Sequence, residues 1–338
     1  MTSPLTPLVE LRGVSKRFAE PIDLATRVAD RVRGRTSAAA TVHAVDSVNL
    51  EVRESEVVGL VGESGCGKST LGRMVSRILE PSEGTRLWKG RPYQDFDGPA
   101  ARGERLAIQM IFQDPYASLN PRMRVADIIG EAPVVHGIVA AREREGYVAD
   151  VLRRVGLDPG LVRRFPHQFS GGQRSRIGIA RALAVKPRFL VCDEAVAALD
   201  VSIQAQVLNL FIRLREELAL TYLFISHDLG VIRHLSDRIV VMYLGRVVEA
   251  GPTAEVYAKP NHPYTEALVA EVPRIESRHR AYVPIRGEIP SPLAPPSGCH
   301  FHPRCPRAFA RCREEAPRLR EIAAGRHSAC HLNDPESP

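Results

Sequence analysis

Gly62-Glu63-Ser64-Gly65-Cys66-Gly67-Lys68-Ser69 is the stretch from which the fold of this chain can be read. It has the form G-x-x-x-x-G-K-[S/T], in which glycines let the backbone wrap tightly with its N–H groups pointed inward. The apolar run Val57 to Val61 before it reads as a buried strand. Lys68 to Leu79 after it reads as a helix that stops ahead of Pro81. The loop therefore sits between strand and helix, the context the motif needs. Its N–H groups and the helix N-terminus suit the β- and γ-phosphates of a nucleotide. Lys68 adds a positive charge near the same oxygens, Ser69 is placed to ligate Mg2+, and Thr70 completes the phosphate-binding stretch. At average residue frequencies the pattern arises by chance in roughly one chain of this length per hundred.

A second apolar run, Phe189-Leu190-Val191-Cys192, ends in Asp193-Glu194. In a parallel sheet, ligand chemistry gathers at the carboxyl ends of strands. There Asp193 can hold Mg2+ through water, and Glu194 can accept a proton from the attacking water or orient it. Cys192 reads as a small apolar strand residue. Strands are expected also at Leu8 to Leu11, Ala44 to Val52, Tyr222 to Ser226 and Ile239 to Tyr243, with a helix over Val201 to Leu218 and helix signals through 120–180. Strands alternating with helices imply a layered α/β domain. The polar, Arg-rich stretch from Ala19 to Thr41 reads as an insertion, in which Ala25, Val28, Ala29 and Val32 recur at helical spacing.

The 338 residues suffice for one large α/β domain plus a small appendage at the C-terminus. No run approaches the ~18 apolar residues of a membrane-spanning helix. Met1 to Gly13 lacks the basic-then-apolar order of a signal peptide, which predicts a cytosolic chain. The net charge of +7 fits nucleic acid, an anionic lipid surface or diffuse solvated arginine, and decides nothing alone.

Phe169-Ser170-Gly171-Gly172-Gln173-Arg174-Ser175-Arg176 precedes a plausible helix, Ile177 to Val185. It is a second Gly-rich helix start suited to a phosphate, and it resembles the LSGGQ signature of ABC ATPases. Phe169 stands where leucine is usual and Ser175 where a second glutamine is common. Other elements similar to that family follow its order. Gln113 in Ile111-Phe112-Gln113-Asp114-Pro115 looks like the Q-loop, Ala198-Leu199-Asp200 like the D-loop, and His227 in Ile225-Ser226-His227-Asp228 like the switch histidine. The resemblance spans about Leu8 to Pro273. It implies an ABC-type P-loop ATPase domain over 1–273, with a RecA-like core, a helical subdomain near 114–180 and the 19–41 insertion. It also implies that two such domains meet head to tail. The phosphate loop of one and Ser170, Gly171, Gly172 and Gln173 of the other, with Asp200, would then enclose each ATP. Gln113 would sense Mg2+ and the attacking water, and His227 would contact the γ-phosphate. Phe18 is the candidate for stacking on adenine, with a core role as its rival.

The tail carries the subfamily. Asn261-His262-Pro263-Tyr264-Thr265-Glu266-Ala267-Leu268, Ala205-Gln206-Val207-Leu208-Asn209-Leu210 and Gly298-Cys299-His300-Phe301-His302-Pro303-Arg304-Cys305-Pro306 resemble segments of oligopeptide/dipeptide importer ATPases. A boundary near Pro273 would open a Cys-rich C-terminal region, 274–338. The class implies a second, homologous ATPase subunit, two transmembrane permease subunits and an extracytoplasmic solute-binding protein. It implies work at the cytoplasmic face of the cell membrane, with no nucleic acid partner. Cys299, Cys305, Cys312 and Cys330 are spaced C-x5-C-x6-C-x17-C. In a reducing cytosol four thiolates suit a [4Fe–4S] cluster or Zn2+, and the absence of C-x2-C pairs favours iron–sulfur. His300, His302, His327 and His331 are spare ligand candidates whose default is a solvated surface. The main rival is a soluble ABC-type ATPase working on nucleic acid or ribosomes, but such proteins usually carry paired ATPase domains or a long coiled coil, and this chain has neither.

Overall fold

Every residue of Val57-Val58-Gly59-Leu60-Val61 is buried, and together they form the central strand β3 (Val57–Val61). A strand buried on both faces has no polar side to alternate with, so it reads as a continuous apolar run. The same holds for β7 (Phe189–Asp193) and β8 (Thr221–Ile225). A computed structural model describes residues 6–19, 41–98, 101–114, 117–272, 285 and 287–334. Its remaining strands are β1 (Val9–Ala19), β2 (Thr41–Val52), β4 (Glu83–Trp88), β5 (Arg91–Pro92), β6 (Ile108–Ile111), β9 (Arg238–Tyr243), β10 (Arg246–Pro252), β11 (Arg320–Ala323) and β12 (Arg326–Ser328). The helices are α1 (Lys68–Val75), α2 (Arg102–Leu106), α3 (Val125–Val135), α4 (Arg144–Arg154), α5 (Gly171–Leu183), α6 (Val201–Leu218), α7 (Leu229–Leu235), α8 (Thr253–Ala258), α9 (Pro263–Glu271) and α10 (Ala310–Glu314).

Two sheets result. One has the order β2-β1-β4-β5 and is antiparallel; the larger runs β11-β12-β10-β9-β3-β8-β7-β6. In the larger sheet β9, β3, β8, β7 and β6 are parallel, and β10 and the C-terminal hairpin β11–β12 extend it antiparallel. Register positions the chemistry. Leu60 and Asp193 both pair with Ile225, and Ile111 pairs with Cys192. The carboxyl ends of β3, β8, β7 and β6 are therefore level, and the four loops that leave them start side by side. Those loops carry the phosphate-binding stretch, His227, Glu194 and Gln113.

Sequence and structure differ at element ends. The first strand runs to Ala19 rather than Leu11, because it pairs on both edges, with β2 and β4. The helix after the phosphate loop closes at Val75, short of Leu79, since Arg77 takes a left-handed φ of 67° that no α-helix continues through. The helix expected over Val201 to Leu218 is present at those bounds. The helical reading of 25–34 and the boundary near Pro273 lie outside the described residues. Thr41 does pair directly with Ala19, so the 19–41 stretch leaves and re-enters one β-ladder. The C-terminal segment shares the main core: Phe301 is buried among Tyr243, Tyr264 and His262. The buried Glu249 of β10 accepts from the backbone of Asn261 and His262 and from Arg326 of β12.

Candidate nucleotide site

The phosphate loop leaves β3 through Gly62, whose φ of 151° and contact with β9 admit no side chain: a Cβ there would lie 2.2 Å from the Met242 carbonyl oxygen. The loop ends on Gly67 at φ 103°, where a Cβ would lie 2.1 Å from the Ala44 carbonyl oxygen of β2. Two strands thus clamp the loop at glycines that no other residue can replace without displacing backbone. Helix α1 begins at once with Lys68. The Lys68 side chain is buried and folded back, its Nζ donating to the carbonyls of Gly62 at 2.7 Å and Glu63 at 2.9 Å. A buried ammonium needs such partners, and these are ones an incoming phosphate can replace. Cys66 is buried beside it at 3.8 Å, and burial raises its thiol pKa. Ser64 and Gly65 are exposed at the loop's outer face, while Ser69 and Thr70 are half-buried.

The Ser69 hydroxyl donates to Oδ1 of Asp193 at 2.8 Å. Two residues 124 positions apart are in direct contact because β3 and β7 flank β8 in register. Burial pushes the Asp193 carboxyl up, and the Ser69 hydrogen bond opposes that shift. A hydroxyl and a carboxylate in contact are hard oxygen donors, which fit a hard dication such as Mg2+. One residue on, Glu194 is in the left-handed region at φ 48°, its N–H held by the Ile225 carbonyl at 3.0 Å. For a residue with a Cβ this conformation costs roughly 1–2 kcal/mol. It turns the chain sharply after β7, and the carboxylate is gripped at both oxygens. Gln113 Nε2 donates to Oε2 at 2.7 Å, and His227 Nδ1 lies 3.2 Å from Oε1. The Glu194 side chain is 13% exposed and His227 is 57% exposed, so the cluster opens to solvent on the histidine side. A carboxylate held between a carboxamide and an imidazole, one residue from a Mg2+-type ligand pair, can bind and orient a water.

Other candidates stand apart. Ser170 caps α5: its hydroxyl accepts from the Gln173 N–H, and the Gln173 carboxamide accepts from the Ser170 N–H. Gly171 and Gly172 follow in the first turn, and Gly172 is closed against Ile203 of α6. Among the described residues no hydrogen bond joins this signature to the phosphate loop of the same chain. Asp200 is exposed at the head of α6, beside the 83% exposed Val201. Phe18 is 41% exposed with the Lys16 ammonium 5.3 Å from its ring, so it is not a core residue. Cys192 is wholly buried in β7, as a strand residue should be.

The four tail cysteines, Cys299, Cys305, Cys312 and Cys330, are free thiols lining one small apolar cavity with His262, Phe301 and His331. Burial, then the neighbouring thiols, raises Cys299 to about 11. Among the described residues no group of three or more His, Cys, Asp or Glu side chains converges as the ligands of one metal ion. The solvated reading of the histidines needs correction. His300 is buried with Nδ1 3.0 Å from the Leu244 carbonyl, and His331 is buried between Asp334 and the Glu315 carbonyl. His302 and His327 are half-buried. Two residues touching the phosphate loop escaped the sequence reading as site residues. The Tyr264 hydroxyl accepts from the Glu63 N–H at 2.8 Å, and Arg304 forks onto the Glu63 carboxylate. Both lie in segments that only resemblance singled out, and nothing local in sequence tells that they meet residue 63.

Fold and site together define a P-loop nucleotide hydrolase. The ABC transporter family matches residues 45–197, and the oligopeptide/dipeptide transporter C-terminal region matches residues 248–312. The chain is 48% identical over 329 residues to the oligopeptide transport ATP-binding protein AppF of Bacillus subtilis, covering 96% of this chain and 97% of that protein. It is 49% identical to the probable peptide ABC transporter ATP-binding protein y4tS of Sinorhizobium fredii, over 87% of this chain and 84% of that one. Among solved structures it resembles cbiO1 of Clostridium perfringens, part of the ABC transporter complex cbiONQ. That likeness has a TM-score of 0.60 at 27% identity and covers 75% of this chain and 92% of cbiO1. It likewise resembles the cassette MJ0796 in a dimeric post-hydrolysis state with ADP and Pi, with a TM-score of 0.60 at 27% identity over 72% of this chain and 98% of that one. The chain belongs to the ATP-binding proteins of ABC transporters, in the group that carries the oligopeptide/dipeptide transporter C-terminal region, and it is an ATPase.

Gly67→Ala should lose ATP binding while the protein remains folded, because the new Cβ would strike the Ala44 carbonyl and force the loop away from β2. Equilibrium binding of a fluorescent ATP analogue checks it, and affinity equal to that of the parent would contradict the clamp.

Proposed function

We propose that this ATPase powers the import of peptides across the cell membrane, working from the cytoplasmic face as the partner of two permease subunits, a second homologous ATPase and an extracytoplasmic solute-binding protein. The relatives named for oligopeptide and peptide transport support the substrate class, since they align along nearly the whole chain. Among the described residues no helix is long and apolar enough to cross a membrane. The observation that carries the reading is the Glu194 carboxylate, held by Gln113 and His227 one residue beyond the Ser69–Asp193 pair.

Lys68 exchanges the Gly62 and Glu63 carbonyls for phosphate oxygens. Ser69 and Asp193 would hold Mg2+, which would neutralise charge on the phosphates. Glu194 orients the attacking water and takes its proton, with Gln113 fixing one carboxylate oxygen. His227, on the exposed side, turns from Glu194 toward the γ-phosphate. Ser170, Gly171, Gly172 and Gln173 serve the ATP of the partner subunit, together with Asp200; their capped helix start suits a phosphate, and among the described residues no hydrogen bond joins them to their own phosphate loop. Phe18, exposed at the end of β1, stacks on adenine. With two half-sites per ATP, the monomer is a poor ATPase.

A [4Fe–4S] cluster is the reading we favour for the tail cysteines. The four thiols line one small cavity, and the spacing C-x5-C-x6-C-x17-C lacks the C-x2-C pairs usual for zinc, which supports iron–sulfur over Zn2+. Its contribution is to hold together a segment with little apolar core of its own. Anaerobically purified protein should carry about four irons and matching sulfide per chain, and stoichiometric zinc in their place would overturn the assignment.

In a strain lacking this chain, the parent gene should restore uptake of labelled short peptides and Glu194→Gln should not. The purified Glu194→Gln protein should still bind ATP while turnover falls by roughly 1000-fold or more. Peptide uptake that is indifferent to the deletion would remove the transport reading, and undiminished hydrolysis would remove the assignment of Glu194.

A further inference from the structure

Glu63 is the first variable position of the phosphate loop, and its side chain points away from the nucleotide residues, into the C-terminal segment. Arg304 meets it with both terminal nitrogens: Nη1 donates to Oε2 at 2.6 Å and Nη2 to Oε1 at 2.9 Å. The Arg304 side chain is 5% exposed and that of Glu63 22%, so the fork is shielded from water on the arginine side. Its guanidinium lies 5.8 Å from the Tyr243 ring, with Nη1 3.4 Å from the Tyr243 hydroxyl. The backbone of the same loop residue is held independently, by the Tyr264 hydroxyl on the Glu63 N–H at 2.8 Å. Tyr243, Tyr264 and Phe301 form one edge-packed aromatic cluster beneath these contacts. Both ends of Glu63 are thus tied to residues more than 200 positions away.

The consequence runs through Lys68, whose ammonium rests on the carbonyls of Gly62 and Glu63. A loop that must present N–H groups to phosphates gains affinity by being held in its binding shape beforehand. We propose that Arg304 is a positioning residue for ATP binding: from the Cys-bearing C-terminal segment it fixes Glu63, and through Glu63 the phosphate loop and the resting place of Lys68. Arg304 closes the short turn His302–Arg304 between Cys299 and Cys305, so the state of the cysteine cavity is one turn from the phosphate loop. The C-terminal segment therefore sets nucleotide affinity as well as completing the fold. The positioning role does not depend on which metal, if any, the cysteines hold.

The test is MgATP affinity of the full chain in Arg304→Met, Arg304→Lys, Glu63→Gln and the Glu63→Gln/Arg304→Met double variant, with thermal melting alongside. Arg304→Met should weaken binding by about tenfold, equal to about 1.4 kcal/mol, and lower the melting temperature by leaving Glu63 without its partner, a loss of stability that the double variant should recover in part while its affinity stays low. Arg304→Lys, which keeps the charge and loses the fork, should fall between the two. Glu63→Gln should resemble Arg304→Met, and the double variant should be no weaker than either, because both remove the same link. In the hydrolysis assay the loss should appear in KM for ATP more than in kcat. Affinity within about twofold of the parent, or additive losses in the double variant, would overturn the proposal. So would losses that track melting temperature across the set. If Arg304→Met does not fold, Glu63→Gln and Arg304→Lys decide the matter by the same criteria.

Discussion

The parallel register of β3, β8, β7 and β6 is the constraint on which the rest of the molecule depends. Leu60 and Asp193 share Ile225 as pairing partner, so a residue leaving β3 and a residue ending β7 emerge at one level. Only then can the hydroxyl of Ser69 touch Asp193. A one-residue slip of β7 would turn its side chains to the opposite face and carry Asp193 away from Ser69. The slip is opposed by burial, since all five residues of each of β3, β7 and β8 are closed off from water. The apolar runs thus do two things at once: they build the core and they align four loops for chemistry.

At that edge each charged group is satisfied internally, by partners that a nucleotide can replace. Lys68 is held by two loop carbonyls, Asp193 by a hydroxyl, and Glu194 by a carboxamide and an imidazole. Buried charge without partners would cost several kcal/mol, so the site needs these contacts to be stable without ligand. The contacts are also short, few and polar, and all of them lie at the carboxyl edge of the parallel strands. The left-handed backbone of Glu194 is the one place in the cluster where conformational strain is stored, and the Ile225 carbonyl holds it.

Much of this was legible in the sequence, for identifiable reasons. Apolar runs bounded by turn signals gave the buried strands, and the helix over Val201 to Leu218 was readable to the residue. The phosphate loop announces itself because its glycines are demanded by geometry, as Gly62 and Gly67 make plain. Glu194 could be singled out at the end of its apolar run, and Gln113 and His227 through the family resemblance, yet no local signal says that Gln113 and His227 converge on the Glu194 carboxylate. Nor does a sequence reveal that Glu194 adopts a left-handed φ, since glutamate has no preference for it. Element ends were less readable, because Arg77 stops α1 by a backbone conformation that its side chain does not advertise. The burial of His300 and His331 depends on carbonyls and carboxylates distant in the chain, which composition cannot supply.

The C-terminal segment is joined to the core by tertiary contacts that a Cys-, Pro- and Arg-rich composition does not announce. It adds β11 and β12 to the main sheet, buries Phe301 among core tyrosines and returns Arg304 to the phosphate loop. If this ATPase is the motor of a membrane importer, it leaves the membrane in company with its permease subunits. The direct measurement is affinity purification of the chain from detergent-solubilised native membranes, with identification of everything that co-purifies. Two polytopic membrane subunits and a second ATPase of the same family should appear in stoichiometric amounts. Ribosomes or nucleic acid as the bound partner, with no membrane subunit, would contradict the importer role.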